Sequence, residues 1–477
     1  MIPLEVSYMP DQINPFQTVV NNSQEAPVVP QAGVPSVIST PPPKKGFPKV
    51  VILIIFVLVL LGLAYFLFIR GKSSKTQSSG EIVWWGLWED ISTITPLITE
   101  YEAKNPKVKV KYVKQSKQDY RERLINALDK GSGPDIFTFH NSWVPMFKAY
   151  LDPIPASVIT PSEFSQVYYP VITNDLTAGS EILGIPLGYD ALTLFVNSDI
   201  FASYAKNIPT TWDDLRSVAI ELTKKDDSGT IIQSGVALGR TENVDHWQEI
   251  LALMMLQNGV NLAIPTGQLA EDALTFFTLF ATSDGVWDAS LPTSTAMFAG
   301  GKLAMYIAPS WRAFEISQLN PTLNFKTAPI PQLAKGGSGQ KDVTYATYWV
   351  QGVSNKGLNK TASWDFLKFI SSSDSLSKLY TNASKQRKFG EAYPRIDMTQ
   401  LLTDHPVLGS IISQAPNAQS WYLQSRTFDG PTGINSLISK YFEDAVNAVN
   451  ARNAAEKVLP TAAQGVSQVL KQYGISK

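Results

Sequence analysis

The sequence predicts an α/β protein of two lobes joined by several chain crossings, preceded by one transmembrane helix. Three observations carry this. Strand-like and helix-like stretches alternate from Glu81 onward, the pattern of a parallel sheet with crossover helices. That mixed pattern runs for roughly 400 residues with no clear linker, more than one core comfortably holds. Ahead of it, residues 50–69 form an uncharged apolar run (VVILIIFVLVLLGLAYFLFI).

Residues 1–49 read as a disordered tail, because the Pro-rich stretch 27–43 has neither helical nor strand periodicity. The run 50–69 would rise roughly 30 Å as a helix, the thickness of a bilayer core. A cleaved signal peptide is the rival reading, but the run begins after 49 residues and is followed by Arg70-Gly71-Lys72, not by a small-residue cleavage site. It is read as an uncleaved anchor. Lys44, Lys45 and Lys49 on one side balance Arg70, Lys72 and Lys75 on the other, so flanking charge does not set the orientation. Residues 70–80 form a flexible Ser-rich stalk.

Residues 81–85 open the folded domain as a strand. Ile91, Ile94, Leu97, Ile98 and Tyr101 then repeat at helical spacing, and Asn105-Pro106 ends that helix. Val108, Val110 and Tyr112 alternate with lysines as a strand with one wet face, Leu124, Ala127 and Leu128 mark a second helix, and residues 135–139 form a buried strand. Helices are expected at 211–225, 246–258, 268–283, 361–371, 374–382, 434–450 and 454–472. Strands are expected near 192–197, 303–307 and 345–353. Residues 81–190 and about 312–365 are expected to share one lobe.

Composition narrows the chemistry. Forty basic and 41 acidic residues leave a net charge of −1, no basis for nucleic acid as a partner. There is no cysteine, so disulfides, thiol catalysis, Cys-ligated zinc and a lipid-modified Cys are excluded. The three histidines, His140, His246 and His405, are far apart, a poor start for a metal site, and no cofactor is expected. No GxSxG elbow or P-loop is present. The chain is read as a binder and not an enzyme, with a membrane-anchored glycoside hydrolase as the catalytic alternative and a membrane-tethered sensor as another.

Several segments, in this order, resemble the family 1 extracellular solute-binding proteins of bacterial ABC importers. These are EIVWWGLWED, ITEYEAKNPKVKVKYV, KGSGPDIFTFHNSW, GIPLGYDALTLFVNSDIF, the helix start Pro209-Thr210-Thr211-Trp212-Asp213-Asp214-Leu215, FAGGKLAMYIAPSW, and YATYWVQGVSNKGLNKTASWDFLKFISS. The likeness covers about 81–475. It implies a periplasmic-binding-protein-like fold over 81–477 with an interlobe ligand cleft. It also implies capture of a carbohydrate, with permease subunits as partners, and a C-terminal domain held outside the cytoplasm by a single-pass anchor. The anchor and the long tail depart from the family's usual cleaved signal or lipid-modified Cys. A polyamine, peptide, phosphate or metal would be the alternative ligand.

Sugar recognition needs flat aromatic faces against pyranose C–H groups and planar polar groups for the hydroxyls. Residues at the carboxyl ends of predicted strands meet that need: Trp88, Glu89 and Asp90; His140, Asn141 and Trp143. Tyr189 and Asp190 precede the interlobe strand, Trp311 and Arg312 follow the next, and Tyr348 and Trp349 sit beside the last. Arg240, Asp245 and His246 cluster before a helix start, and Arg387 and Arg395 are further candidates. For each group the plainer alternative is capping, packing or surface pairing. Trp212 and Trp364 are expected to be structural.

Overall fold

The computed structural model describes residues 80–334 and 341–475. The predicted tail, the run 50–69 and all of the stalk but Gly80 lie outside the described residues, among which no helix is long and apolar enough to cross a membrane.

The first sheet begins with β1 (Gly80–Gly86), β2 (Val108–Lys114) and β3 (Ile136–His140), with β1 parallel to both others. The helices α1 (Ile91–Lys104) and α2 (Tyr120–Asp129) connect them. Asp90 starts α1 by accepting the Ser92 amide at 3.1 Å, which satisfies one of the helix's free first-turn donors. All five residues of β3 are buried, as expected for a central strand covered on both faces.

At Ile185–Pro186 the chain still pairs with the first sheet. It then enters a five-stranded second sheet whose longer strands are β4 (Leu192–Asn197), β5 (Ile231–Val236), β6 (Leu303–Pro309) and β7 (Phe325–Ala328), in the order β7-β4-β6-β5, with the two residues Lys224–Lys225 pairing beyond β5 at the edge. Helix α3 (Trp212–Leu222) packs on it, α4 (Trp247–Gln257) and α5 (Gln268–Thr282) pack on each other, and α6 (Arg312–Leu319) follows β6. Thr211 caps α3 through the Asp214 amide at 3.2 Å, so the PTTWDDL segment does act as a helix start. Helix α3 lies hard against β5: a Cβ on Gly235 would sit 2.0 Å from the Ala219 carbonyl oxygen, so only glycine permits that approach.

The chain returns to the first sheet as β8 (Trp349–Ser354), antiparallel to β3. Helices α7 (Lys360–Ile370) and α8 (Ser373–Ser384) cover that lobe, where Trp364 is buried and donates to Asp152 at 3.0 Å. A last crossing leads to α9 (Ile434–Asn450) and α10 (Ala455–Gln472), which pack on α5. The expected lobe division therefore needs one correction. Residues 312–328 pair and pack with the second sheet, because β7 hydrogen-bonds to β4, and the return crossing comes only at 329–348. Isolated bridges tie the crossings together, Tyr189 to Ala392 and Ala191 to Ala346.

Candidate functional site

The loops at the carboxyl ends of β1 and β3 and at the start of β8 bring together aromatic residues that are far apart in sequence. Trp349 lies at the centre. Its ring is 5.2 Å from that of Trp88, 4.9 Å from His140 and 5.6 Å from Trp143, each edge-to-face. Such pairs add to the area they bury and fix each ring's tilt. Trp143 and His140 are buried beneath, Trp349 is half-buried, and Trp88 keeps 38% of its surface exposed. Phe428, from the last crossing, approaches Trp88 at 5.8 Å, and the Lys117 ammonium lies 5.0 Å over Phe428.

His140 is held by Ser142, whose hydroxyl lies 2.8 Å from Nδ1, and by Thr347, whose hydroxyl lies 3.0 Å from Nε2. The Ser142 amide also donates to Nδ1. Because the amide donates to Nδ1, that nitrogen is the acceptor, so the Ser142 hydroxyl, which itself accepts from Asn435 at 2.8 Å, also donates to it and the ring proton sits on Nε2. Burial lowers this histidine to about 3.

The second lobe contributes Trp311, at the start of α6. His246 packs against its edge at 5.4 Å and the Arg312 guanidinium lies 4.4 Å over its face. Arg312 is buried. Its Nε donates to His246 Nε2 at 2.9 Å, and it pairs with Asp245 at 3.2 Å and with Glu315. Since Nε2 of His246 accepts, the ring is neutral; burial, with a contribution from Arg312, pushes it below the ordinary histidine range. Burial works against ionised Asp245, yet Thr295 and Arg312 hold its carboxyl below the usual value. Arg426, 51% exposed, adds a second cation 3.4 Å from Asp245.

Between the two aromatic groups lies a charged bridge. Glu89 pairs with Arg387 at 2.7 Å, and Arg387 with Glu391 at 2.9 Å. The Arg387 guanidinium also lies 5.2 Å from the ring of Phe314 on α6, which packs on Phe389 at 4.3 Å. Aromatic faces from both lobes, flanked by part-exposed carboxylates and guanidinium groups, can grip a ligand whose surface alternates C–H patches with hydroxyls.

Of the residues anticipated from sequence, Trp88, Glu89, His140, Trp143 and Trp349 meet on the first lobe, and Trp311, Arg312, Asp245 and His246 on the second. Asp90 is occupied in capping α1; the Ser92 amide and hydroxyl hold its carboxyl below the ordinary range. Tyr189 is buried against Tyr169 and Tyr348. Asp190 is also buried and accepts from the amides of Ala191, Ser310 and Trp311 and the Ser310 hydroxyl at 2.7–3.3 Å, which positions the loop carrying Trp311. Burial pushes its carboxyl up to about 7; the Ser310 amide pulls the other way and Glu391 adds to the rise. Asn141 and Tyr348 turn away from the aromatic group toward Asp175. Arg240 pairs with its neighbour Glu242 at 3.6 Å, and Arg395 staples Asp397 at 2.8–2.9 Å. Phe314, Glu391, Arg426 and Phe428 were not anticipated. A shallow groove between α1 and α8, lined by Pro96, Glu100 and Lys378, lies on the outside of the first lobe and is crossed by the Lys378–Glu100 pair; it shares no residue with the aromatic groups.

The family model described as bacterial extracellular solute-binding protein matches residues 85–375. Putative binding proteins of Brucella abortus and Brucella suis are 21% identical over 289 residues, 59% of this chain and 69% of theirs. The maltotriose-binding protein of Pyrococcus abyssi is 21% identical over 316 residues, 63% of this chain and 64% of its own. Among solved structures, a cyclo/maltodextrin-binding protein complexed with maltotetraose superposes with a TM-score of 0.66 at 16% identity, covering 83% of this chain and 99% of that one. A solute-binding protein of an ABC transporter from Thermotoga lettingae, bound with α-D-tagatose, gives 0.62 at 21% identity, covering 82% and 100%. At these identities the structural likeness shows a shared two-lobed α/β fold.

Proposed function

The chain belongs to the bacterial extracellular solute-binding proteins, and from that membership we propose that it captures a carbohydrate between its lobes and hands it, unchanged, to the permease of an ABC importer. The observation that carries this reading is the pairing of Trp88 and Trp349 on one lobe with Trp311 on the other, with Glu89, Arg387, Glu391, Asp245 and Arg426 around them. A pyranose would stack on the tryptophans and hydrogen-bond its hydroxyls to the charged groups, whose planar oxygens and nitrogens match vicinal diols. A ligand touching both lobes favours the closed arrangement by its differential contacts with that state. The sugars named for the similar proteins, maltotriose, maltotetraose and tagatose, define the first compounds to try.

The test is a thermal-shift and tryptophan-fluorescence screen of the full chain in a sugar-free polyoxyethylene detergent. A bound sugar at 100-fold its Kd should add about 2.7 kcal/mol of stability. Maltotriose or a related saccharide is expected to give a saturable shift that Trp311→Ala abolishes, with the sugar recovered intact. No shift with any saccharide, or a hydrolysed product, would overturn the reading.

The run 50–69 supports a further element of it: the chain is anchored by one uncleaved helix with the binding domain outside the cytoplasm. In fractionated cells the full-length chain should stay with the membrane after alkaline carbonate washing and be released by detergent, and protease added to spheroplasts should digest the domain. Recovery of a shortened chain in the soluble fraction would sink this element while leaving the binding role intact.

A further inference from the structure

His140 and Asn141, and Tyr348 and Trp349, are consecutive pairs whose members point in different directions. His140 and Trp349 face each other, and Trp349 also faces Trp88. Asn141 and Tyr348 instead donate to Asp175, at 2.9 and 2.7 Å, and Ser420 donates to its other oxygen at 2.5 Å. Asp175 forms part of the wall of a second cavity of about 440 Å³, distinct from the aromatic site and lined also by Ser142, Asn261, Trp421 and Tyr422. Both lobes contribute: Asp175 and Asn141 belong to the first, and Asn261 follows α4 in the second. Trp421 and Tyr422 stand 5.6 Å apart with their planes at 52°, two sides of a corner. Tyr422 is raised to about 12 by burial and, secondarily, by the charge of Asp175, so carboxylate and ring share one electrostatic environment.

The lining carries one ionisable acid and no lysine, arginine or histidine. Every donor to Asp175 is neutral, and among the described residues no cation lies within ion-pair distance of it. A carboxylate withdrawn from bulk water without a counter-charge is costly, and three neutral donors offset only part of that. A neutral sugar would use the amides and the rings but leave the charge uncompensated. An anion is excluded by the same carboxylate. A positively charged ligand satisfies both features, because a cation is attracted to the carboxylate and to the faces of Trp and Tyr.

We propose that this cavity binds a small organic cation, a molecule bearing an ammonium group, with Asp175 as counter-ion and Trp421 and Tyr422 as aromatic walls. The site is independent of the solute held between Trp349 and Trp311.

The test is titration calorimetry of the full chain in a polyoxyethylene detergent, which carries neither sugar nor ammonium, with choline and with putrescine as probes. At least one probe is expected to bind saturably at one site per chain. Asp175→Asn and Trp421→Ala should each weaken it tenfold or more, and Trp311→Ala should leave it unchanged. Asn261→Lys, at an exposed loop position, supplies the cavity with a cation of its own and should weaken binding similarly without burying a new group. Absence of saturable binding by both probes would overturn the proposal. So would equal affinity in Asp175→Asn, or binding of maltotriose that Trp421→Ala abolishes and Asp175→Asn spares. Because the carbohydrate reading stands or falls on Trp311→Ala, failure of one proposal is separable from failure of the other.

Discussion

An Arg312→Ala variant is expected to unfold about 3–5 kcal/mol more readily than the native chain, the cost of removing one partner from a buried ionic cluster. The guanidinium is 2% exposed. It donates to His246 at 2.9 Å, faces Asp245 at 3.2 Å and covers the ring of Trp311 at 4.4 Å. Its removal leaves Asp245, 14% exposed, with its bonds from Thr295 and with the solvent-screened Arg426 at 3.4 Å as its paired cation. Arg312→Lys restores the charge and not the planar fork that reaches two partners at once, so an intermediate loss is expected. Urea denaturation at pH 7 measures both, and a midpoint unchanged in Arg312→Ala would mean that the cluster contributes no net stability. The same variant should weaken ligand binding, because Trp311 would lose the guanidinium behind its face. In the proposed binding role Arg312 would act as a positioning residue behind Trp311, not as a direct contact.

That distinction marks where the sequence stops being informative. The long amphipathic stretches were legible: helices α9 and α10 and strand β4 lie where their apolar spacing puts them. The short α6 was not, since its eight residues (RAFEISQL) offer barely two turns of periodicity. Missing it placed residues 312–328 in the wrong lobe. At the site, the tryptophans at strand ends could be picked out by residue type and position. What could not be read was the direction each side chain takes. Every residue of β3 is buried, so there is no inside–outside alternation to set the phase, and nothing in the sequence says that His140 points at Trp349 while Asn141 points at Asp175. Arg387 is hard to read from sequence for a different reason. Its partner Glu89 is 298 residues away, and only the folding of α8 against α1 brings them together. Trp421-Tyr422 in a Ser- and Gln-rich loop is the visible signal of the second cavity, two adjacent aromatics without helical or strand periodicity around them.

The largest pH effect expected in the native chain comes from His140. Its folded value is about 3, against an ordinary value near 6.5, and burial is the cause. The sign follows from linkage. Above pH 6.5 the ring is neutral in both folded and unfolded chains and contributes no pH dependence. As pH falls below 6.5 the unfolded chain takes up a proton that the folded chain refuses, so stability declines until the folded ring itself titrates near 3. At pH 4.5 the loss amounts to about 2.7 kcal/mol. The geometry explains the refusal: Nδ1 accepts from Ser142, the ring is enclosed by Trp349 and Thr347, and among the described residues no carboxylate is bonded to it. Asp190, raised to about 7, acts with the opposite sign in the same window, since its folded form gains a proton before its unfolded form does. Raw pH curves of the native chain therefore mix the two. Comparing the native chain with His140→Gln at pH 7 and pH 4.5 isolates the histidine. The variant is expected to start less stable at pH 7, having lost packing beneath Trp349, and to lose about 2.7 kcal/mol less between the two pH values. Equal losses in both chains would mean that His140 titrates in the fold as it does in the unfolded chain and has taken up its proton by pH 4.5. The aromatic group around Trp349 would then have to hold an imidazolium, and its surface would offer a ligand a positive edge in place of a neutral one.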